Sequence, residues 1–389
     1  MSPRPDSSPE AALCALALGK HVLITVGAGG VGKTTTAAAL AVAAAQRGRR
    51  VLCLTIDPAK RLAQSLGLPA MTTEAVQIDP ARFAAVGAPL SASLTIMMLD
   101  TKRTFDELVI RHASSKEKAE RILSNKLYQY VSTSLAGTQE YMAMEKLVAV
   151  KADPAYDLII LDTPPTANAL DFLDAPERMV QALDSAAMRW FVEAFESTGK
   201  LSFHLLAKSA ALVLRGVGRI TGGGFLEAMA ELITALNDLF GGFKRRATMV
   251  EKALRSPEVA FVLVTSPAPM SIQEALFFSD RLRVSNMPLG ALVVNRVREA
   301  PPALDNAAAA DIDKALTAHG IRLDDDAPAR LLRAHEDASK LAALDATHLA
   351  GLQQRAGAET PMVRVPELPS DVYDVRLLAE LSTVLTGSR

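Results

Sequence analysis

The stretch VGAGGVGKTTT, from Val26 to Thr36, constrains the fold of this chain more than any other segment. It follows a short β-rich run, HVLITV, and it precedes a helical pattern that extends from Lys33 to about Gln46. The next apolar run, RVLCLTID, ends at Asp57. A strand, a glycine-rich loop, a helix and a second strand in this order predict a right-handed βαβ unit with parallel strands.

Other apolar runs extend this unit into a larger sheet. Further buried strands are predicted at YDLIILD (Tyr156–Asp162), VAFVLVTS (Val259–Ser266), LGALVVNR (Leu289–Arg296) and PMVRVPEL (Pro361–Leu368). Helical patterns lie between them, and the Ala-rich, charged residues 300–360 are interpreted as peripheral helices. The pattern predicts an α/β fold, a doubly wound and mostly parallel sheet.

Two long stretches do not alternate between strand and helix patterns. Residues from about 101 to 152 and from about 175 to 255 show one helical pattern after another. They predict a helical subdomain that is inserted into the α/β core. Residues 1–18 are expected to form a flexible N-terminus and a short helix, and residues 19–389 a single domain that contains both insertions.

Composition and charge limit the molecules that the chain is expected to bind and its expected location. The formal net charge is -1, so no global basic field favours nucleic acid, and we expect no nucleic-acid partner. The two cysteines form no CxxC pair, which leaves no cysteine zinc site and suits a reducing cytoplasm. No uninterrupted apolar stretch approaches the ~18 residues of a membrane span. The expected location is cytoplasmic, without stable membrane insertion.

The glycine-rich loop predicts a phosphate-binding site. Its sequence from Gly27 to Thr34 fits the P-loop pattern GxxxxGK[ST] at every specified position. The doubly wound, mostly parallel sheet is therefore predicted to be of the P-loop NTPase type. Loop N–H groups and the helix N-terminus can surround phosphate oxygens, while the lysine reaches the β- and γ-phosphates and the threonine hydroxyl ligates Mg²⁺. We therefore expect Mg-ATP to bind at Gly29, Gly30, Val31, Gly32, Lys33, Thr34 and Thr35.

A different nucleotide class also matches this loop. Gly27, Gly29 and Gly32 fit the dinucleotide fingerprint GxGxxG, with Asp57 as the acid that ends the second strand. The distance to that acid is somewhat longer than the usual ~20 residues. The fingerprint also has no use for the Lys33–Thr34 pair, which favours a nucleoside triphosphate over a dinucleotide or a turn without ligand.

Two acids complete the predicted site. Asp162 ends the apolar run DLIILD, where a P-loop enzyme needs a carboxylate to support Mg²⁺, here through water. Asp57 ends the strand after the P-loop helix, so it can orient and polarise an attacking water. The simpler alternative for Asp57 is a turn cap before Pro58. With the other motifs present, Asp57 and Lys33 are predicted to be catalytic.

At this point the sequence resembles a known family, the ArsA-like P-loop ATPases, which include the arsenite-pump ATPase and the tail-anchored-protein targeting ATPase. The resemblance covers most of the chain and rests on GAGGVGKTT, LTIDPAKRLAQSLG and LDTPPTANALDFLDAP. The run VVNR resembles the family's adenine-contacting strand end, which nominates Asn295, and Pro366 resembles the residue on the other side of the adenine. The resemblance implies a dimer in which ATP brings the halves together and moves the helical subdomains.

One departure from the family concerns the loop itself. Ala28 occupies the position of the signature lysine, which in the family reaches across the dimer to the partner's phosphates. The chain is most similar to bacterial ArsA-like ATPases that are encoded as paired paralogues, one of which keeps the lysine. We therefore expect a heterodimer with a lysine-bearing paralogue. A homodimer in which Lys60 or Arg61 substitutes, and a nearly inactive ATP-binding subunit, are the alternatives.

Other departures from the family concern the molecule or client on which the ATPase acts. Switch II has Ala167 and Asn168 where related chains often have Gly-His, and the cysteines are too few for the arsenite site. The second helical segment carries methionines and aromatics that could line a groove for an apolar client such as a membrane protein: Met179, Met188, Trp190, Phe191, Phe195 and Phe203. No single helix face holds them all, which favours a role in the core of the subdomain.

Overall fold

The computed structural model describes residues 8–56, 63, 65, 66, 68, 73–125, 128, 129, 132, 138–163, 175, 181, 245–304, 309–321, 324 and 326–387. The strands are β1 (Val22–Val26), β2 (Val51–Thr55), β3 (Val76–Gln77), β4 (Leu94–Met98), β5 (Leu158–Asp162), β6 (Val259–Thr265), β7 (Leu289–Val297) and β8 (Met362–Pro366). The helices are α1 (Pro9–Gly19), α2 (Lys33–Gln46), α3 (Pro80–Ala84), α4 (Thr101–His112), α5 (Lys116–Ser124), α6 (Thr138–Lys151), α7 (245–254), α8 (Pro269–Val284), α9 (Ala309–Ala318), α10 (Ala327–Ala356) and α11 (Val375–Thr386).

The strands form one sheet in the order β3-β4-β2-β5-β1-β6-β7-β8. All pairs are parallel except β3 with β4, which is antiparallel. The predicted α/β class is confirmed, as are the predicted strands and the helices within residues 300–360. The sequence does not predict the strands β3 and β4, because β3 has only two residues and the run of β4 contains two methionines, which are weak indicators of a strand.

The two faces of the sheet pack against different helices, which is why its central strands are apolar throughout. On one face, α1, α2 and α11 enclose a core that includes Leu23, Cys53 and Ile160. On the other face, α6, α7, α8 and α10 enclose a second core around Ile24 and Leu161. Strand β1 lies between β5 and β6, so the loop that follows it opens at the carboxyl edge of the sheet, where doubly wound folds bind ligands.

A third core lies among the helices α4 to α7. It includes Phe105 and Tyr128, whose rings meet edge to face with centroids 5.5 Å apart. The buried ion pair of Glu145 with Arg246, 3.2 Å, joins α6 to α7 within this layer. Between β4 and β5 the described residues contain helices and no strand, as expected for the first insertion. The extent of the helical subdomain stays a prediction.

Most of the second predicted insertion lies outside the described residues. This includes all the methionines and aromatics that were considered for a client groove: Met179, Met188, Trp190, Phe191, Phe195 and Phe203. Within the described part of the chain, no helix has an apolar stretch long enough to cross a bilayer.

Candidate functional site

The glycine-rich loop passes close to the neighbouring strands. Gly27 is buried with a φ of 147°, and a Cβ at this position would lie 2.0 Å from the carbonyl oxygen of Val264 on β6. Gly32 has a φ of 98°, and a Cβ there would lie 2.4 Å from Asn295 Nδ2 on β7. Both backbone conformations favour glycine, and at Gly27 the clashing atom is also backbone, which cannot move aside as the Asn295 side chain can.

Between these two glycines the loop is accessible. Gly29 and Gly30 are exposed, whereas Val31 is 3 % exposed and packs into the α2 side of the core. Thr35 is half-buried in the first turn of α2. The loop is therefore anchored at Val31 and open at the residues that were predicted to hold phosphate.

Lys33 is the first residue of α2, and its side chain turns back into the loop. It is 6 % exposed, and its Nζ donates to the carbonyl oxygen of Ala28 at 2.8 Å. The first turn of α2 contains no acidic residue, and no side chain caps it at Gly32. The positive end of a 14-residue helix and a lysine ammonium thus face the same loop, which is the electrostatic requirement of an anion site.

Thr34 and Asp162 meet beside this loop. Asp162 is the last residue of β5 and is 1 % exposed. Thr34 Oγ1 donates to Asp162 Oδ2 at 2.7 Å. A hydroxyl and a carboxylate are hard oxygen donors of the kind that Mg²⁺ selects, and Mg²⁺ commonly keeps several waters beside one or two such groups. The donor set therefore fits the predicted magnesium site.

Two further hydroxyl groups reach the same carboxylate. Thr55 Oγ1 donates to Asp162 Oδ2 at 3.1 Å, and Thr25 Oγ1 lies 3.4 Å from Oδ1. Both threonines pair in register with Asp162, one on each neighbouring strand, so the three side chains point to the same face of the sheet. Sequence reasoning missed both threonines. A polar residue near the carboxyl end of each of several apolar strands is nevertheless a sequence signal for polar side chains that lie side by side on one face of the sheet.

Burial raises the pKa of Asp162 from its ordinary value of 3.8 to about 6. The hydroxyl groups of Thr34, Thr55 and Thr25 and the positive charge of Lys33 act in the opposite direction, because they stabilise the ionised form. Near neutral pH the carboxylate is therefore mainly ionised, but at a cost in stability that depends on pH.

This cost gives a prediction for the protein without nucleotide. Because the pKa of Asp162 is higher in the folded than in the unfolded state, the protonated carboxyl stabilises the fold below about pH 4, and this stability is lost as pH rises through 6. About two pKa units correspond to about 3 kcal/mol of unfolding free energy. Part of this is already lost at pH 4, where the unfolded carboxyl is about half ionised. Urea unfolding at pH 4 and pH 7 should therefore show wild type losing about 2 kcal/mol relative to Asp162→Asn. An equal pH dependence of the two proteins would contradict the raised pKa.

Asn295 contacts the loop from the end of β7. Its Nδ2 donates to the carbonyl oxygen of Val31 at 2.9 Å, and its Oδ1 accepts the backbone N–H of Arg296, also at 2.9 Å. Arg296 has a φ of 59°, uncommon for a non-glycine residue, at the place where the pairing of β7 with β8 changes register. Pro366 ends β8 and pairs in register with Val297, one strand farther from the loop.

The remaining predicted site residue, Asp57, lies outside the described residues, as do Lys60, Arg61, Ala167 and Asn168. The residue before Asp57 is described: Ile56 is buried, and its N–H donates to the carbonyl oxygen of Asp162 at 3.3 Å. The residue that follows β2 is thus paired with the backbone of Asp162.

The chain has relatives of known family. The family model described as anion-transporting ATPase, ArsA type, matches residues 20–309. The ATPase BagA of Mycobacterium tuberculosis is 24% identical over 382 residues, which cover 94% of this chain and 93% of that protein. The ATPase GET3 of Phaeosphaeria nodorum is 25% identical over 283 residues, 70% of this chain and 74% of that protein. GET3B of Arabidopsis thaliana is 27% identical over 287 residues, 70% and 62% of the two chains.

Proposed function

The chain belongs to the ArsA-type anion-transporting ATPase family. From this premise we propose that it is a Mg²⁺-dependent ATPase whose nucleotide state moves its helical subdomain. One observation carries the proposal. A nearly buried lysine ammonium, a helix N-terminus and a hydroxyl–carboxylate pair 2.7 Å apart converge on one glycine-rich loop. A dinucleotide, the alternative from sequence, would use neither Lys33 nor Thr34.

The proposed roles follow from the donors and acceptors in place. Loop N–H groups and the start of α2 hold the phosphates, and the Lys33 ammonium exchanges the Ala28 carbonyl for β- and γ-phosphate oxygens. Thr34, whose hydroxyl donates to Asp162, would offer an oxygen lone pair to Mg²⁺, and the ion would offset the charge of the phosphates. Asp162 would support the metal through water.

Three further roles remain proposals. Asp57 orients the water that attacks the γ-phosphate. Asn295 and Pro366 flank the adenine. Asn295 already joins the end of β7 to Val31, so a base held there would lie beside the phosphate loop.

The proposed assembly is a dimer, with a lysine-bearing paralogue as the preferred partner, because Ala28 has only a methyl group to offer a neighbouring nucleotide. A homodimer and a nearly inactive ATP-binding subunit of a heterodimer are the alternatives. The family resemblance implies a second candidate function, a targeting factor or chaperone that presents apolar membrane-protein clients. For both functions we propose a cytoplasmic location.

The family's description raises anion transport as a third possibility, which we do not propose for this chain. Soft anions such as arsenite need accessible thiolates. Cys53 is buried in β2, and burial raises the pKa of its thiol, so it remains neutral and enclosed. Cys14 lies on α1, on a different element.

Binding of ATP tests the proposed function. Titration with a fluorescent ATP analogue should show saturable binding that requires Mg²⁺ for full affinity, and Lys33→Met should weaken it about tenfold or more, since a charge-assisted contact to phosphate is lost. The matched control is Lys340→Met, which removes the charge of an exposed lysine on α10 and should leave binding unchanged. Equal affinity of wild type and Lys33→Met would overturn the assignment of the loop.

A further inference from the structure

Thr55 shares an acceptor with the predicted magnesium ligand. Its Oγ1 donates to Asp162 Oδ2 at 3.1 Å, and the same oxygen accepts from Thr34 Oγ1 at 2.7 Å. Thr55 is 0 % exposed and Asp162 is 1 % exposed. The parallel register of β2 with β5 pairs these two residues directly, so the contact is set by backbone pairing. Threonine is also stiff about χ1, which keeps the hydroxyl in place.

The type of donor matters at this position. A hydroxyl carries no formal charge, so it can stabilise a buried carboxylate without cancelling the attraction of that carboxylate for a cation. Two donors on Oδ2 restrict rotation of the carboxylate plane. While the Thr34 proton points at Oδ2, the lone pairs of the Thr34 oxygen face away from Asp162 and are available to another partner.

We propose that Thr55 is a positioning residue for Mg²⁺-dependent ATP binding: its hydroxyl orients Asp162 so that Thr34 presents its oxygen lone pairs to the metal. The inference rests on the proposed function, because it concerns how that same site takes up its cation. Thr55 acts through Asp162 and Thr34. Its loss should therefore affect the contribution of Mg²⁺ to binding and leave the phosphate loop unchanged.

Thr25 provides an internal comparison. Its Oγ1 lies 3.4 Å from Asp162 Oδ1 and 3.3 Å from the carbonyl oxygen of Leu161. Both distances are longer than the 3.1 Å of the Thr55 contact, and one proton serves two acceptors. Its hold on the carboxylate is weaker than that of Thr55, so the two threonines should differ in effect.

The test measures affinity for a fluorescent ATP analogue, with Mg²⁺ and with EDTA, for Thr55→Val, Thr55→Ser and Thr25→Val. Valine keeps the branched shape and removes the donor, whereas serine restores the donor. We expect Thr55→Val to lose about tenfold in affinity with Mg²⁺ and little in EDTA, Thr55→Ser to recover most of it, and Thr25→Val to lose less. The control is Thr95→Val, which removes a buried hydroxyl from β4.

Each other outcome decides against the inference. If Thr55→Val weakens binding equally with Mg²⁺ and with EDTA, or if serine does not rescue it, the residue is only structural. If Thr95→Val matches Thr55→Val, the effect is a general loss of sheet stability, which thermal melts of all variants would also reveal. A wild-type chain that binds no ATP under either condition overturns the proposed function and this inference with it.

Discussion

Replacing Gly27 with alanine is expected to destabilise the fold by more than about 4 kcal/mol, or to prevent folding. The added Cβ would lie 2.0 Å from the carbonyl oxygen of Val264, which is backbone and has no rotamer to adopt. Val264 is fully buried within β6, next to the central strand β1. Relief of the clash therefore requires the strands to separate or the loop to move away from the edge of the sheet.

Chemical denaturation of Gly27→Ala beside Gly48→Ala separates this clash from backbone strain. Gly48 has a φ of 88°, and a Cβ there would meet no atom within 4 Å, so its alanine variant bears only the cost of a left-handed backbone, about 1 kcal/mol. A loss at Gly27 that is no larger than the loss at Gly48 would contradict the close approach of the loop to β6.

The residues that the sequence could identify are those whose chemistry is specified by local order. Lys33 and Thr34 follow the glycines of one loop, and Asp162 ends an apolar run, so each was identifiable without knowledge of the sheet order. The strand order then explains why they converge: β5 lies next to β1, and the carboxyl ends of parallel strands share one edge.

The residues that were missed depend on strand register. Thr55 is the last residue of β2 and Thr25 is the second-last residue of β1. Threonine is common in strands for reasons of β-propensity alone, and only the pairing of both strands with β5 brings these two residues to Asp162. The contact of Asn295 with Val31 joins residues that are 264 positions apart, so no local sequence pattern predicts it. Asn295 was nominated only through the family resemblance.

The strand β4 shows a different limit of prediction from the sequence. Its run LTIMM carries two methionines, which are adaptable core residues and weak indicators of a strand. It becomes a strand because β2 offers a free edge, with which it pairs in parallel from Leu94 to Met98. Tertiary pairing decides such short segments.

Ala28→Lys is expected to raise ATP turnover by about a hundredfold or more in any assembly where this loop faces a partner's nucleotide. Removal of one charge-stabilising donor from an active site typically costs about 10² to 10³ in rate, and the substitution restores such a donor. Under the proposed dimer, the lysine would act on the phosphates of the partner, which Ala28 cannot reach.

The backbone at position 28 is compatible with this lysine. Among the described residues, only Asn286 and Arg296 combine a side chain with a positive φ, so position 28 has a backbone that any L-residue adopts. Ala28 is half-buried, and its contact with Lys33 uses the carbonyl oxygen, which the substitution retains. A stable, folded Ala28→Lys protein is therefore expected, and Ala28→Met is the control for length without charge.

Turnover and oligomeric state, measured together, distinguish the assemblies. If wild type is slow alone, and either Ala28→Lys or a lysine-bearing paralogue accelerates it by orders of magnitude while Ala28→Met does not, the missing lysine limits the rate and the heterodimer is supported. If wild type alone already turns over rapidly as a homodimer, a local cation replaces the lysine and the heterodimer proposal fails. If Ala28→Met accelerates turnover as much as Ala28→Lys, side-chain length and not charge is the cause. The loop chemistry around Lys33 and Asp162 is the same in all three cases, so the outcome depends on what faces Ala28 across the dimer.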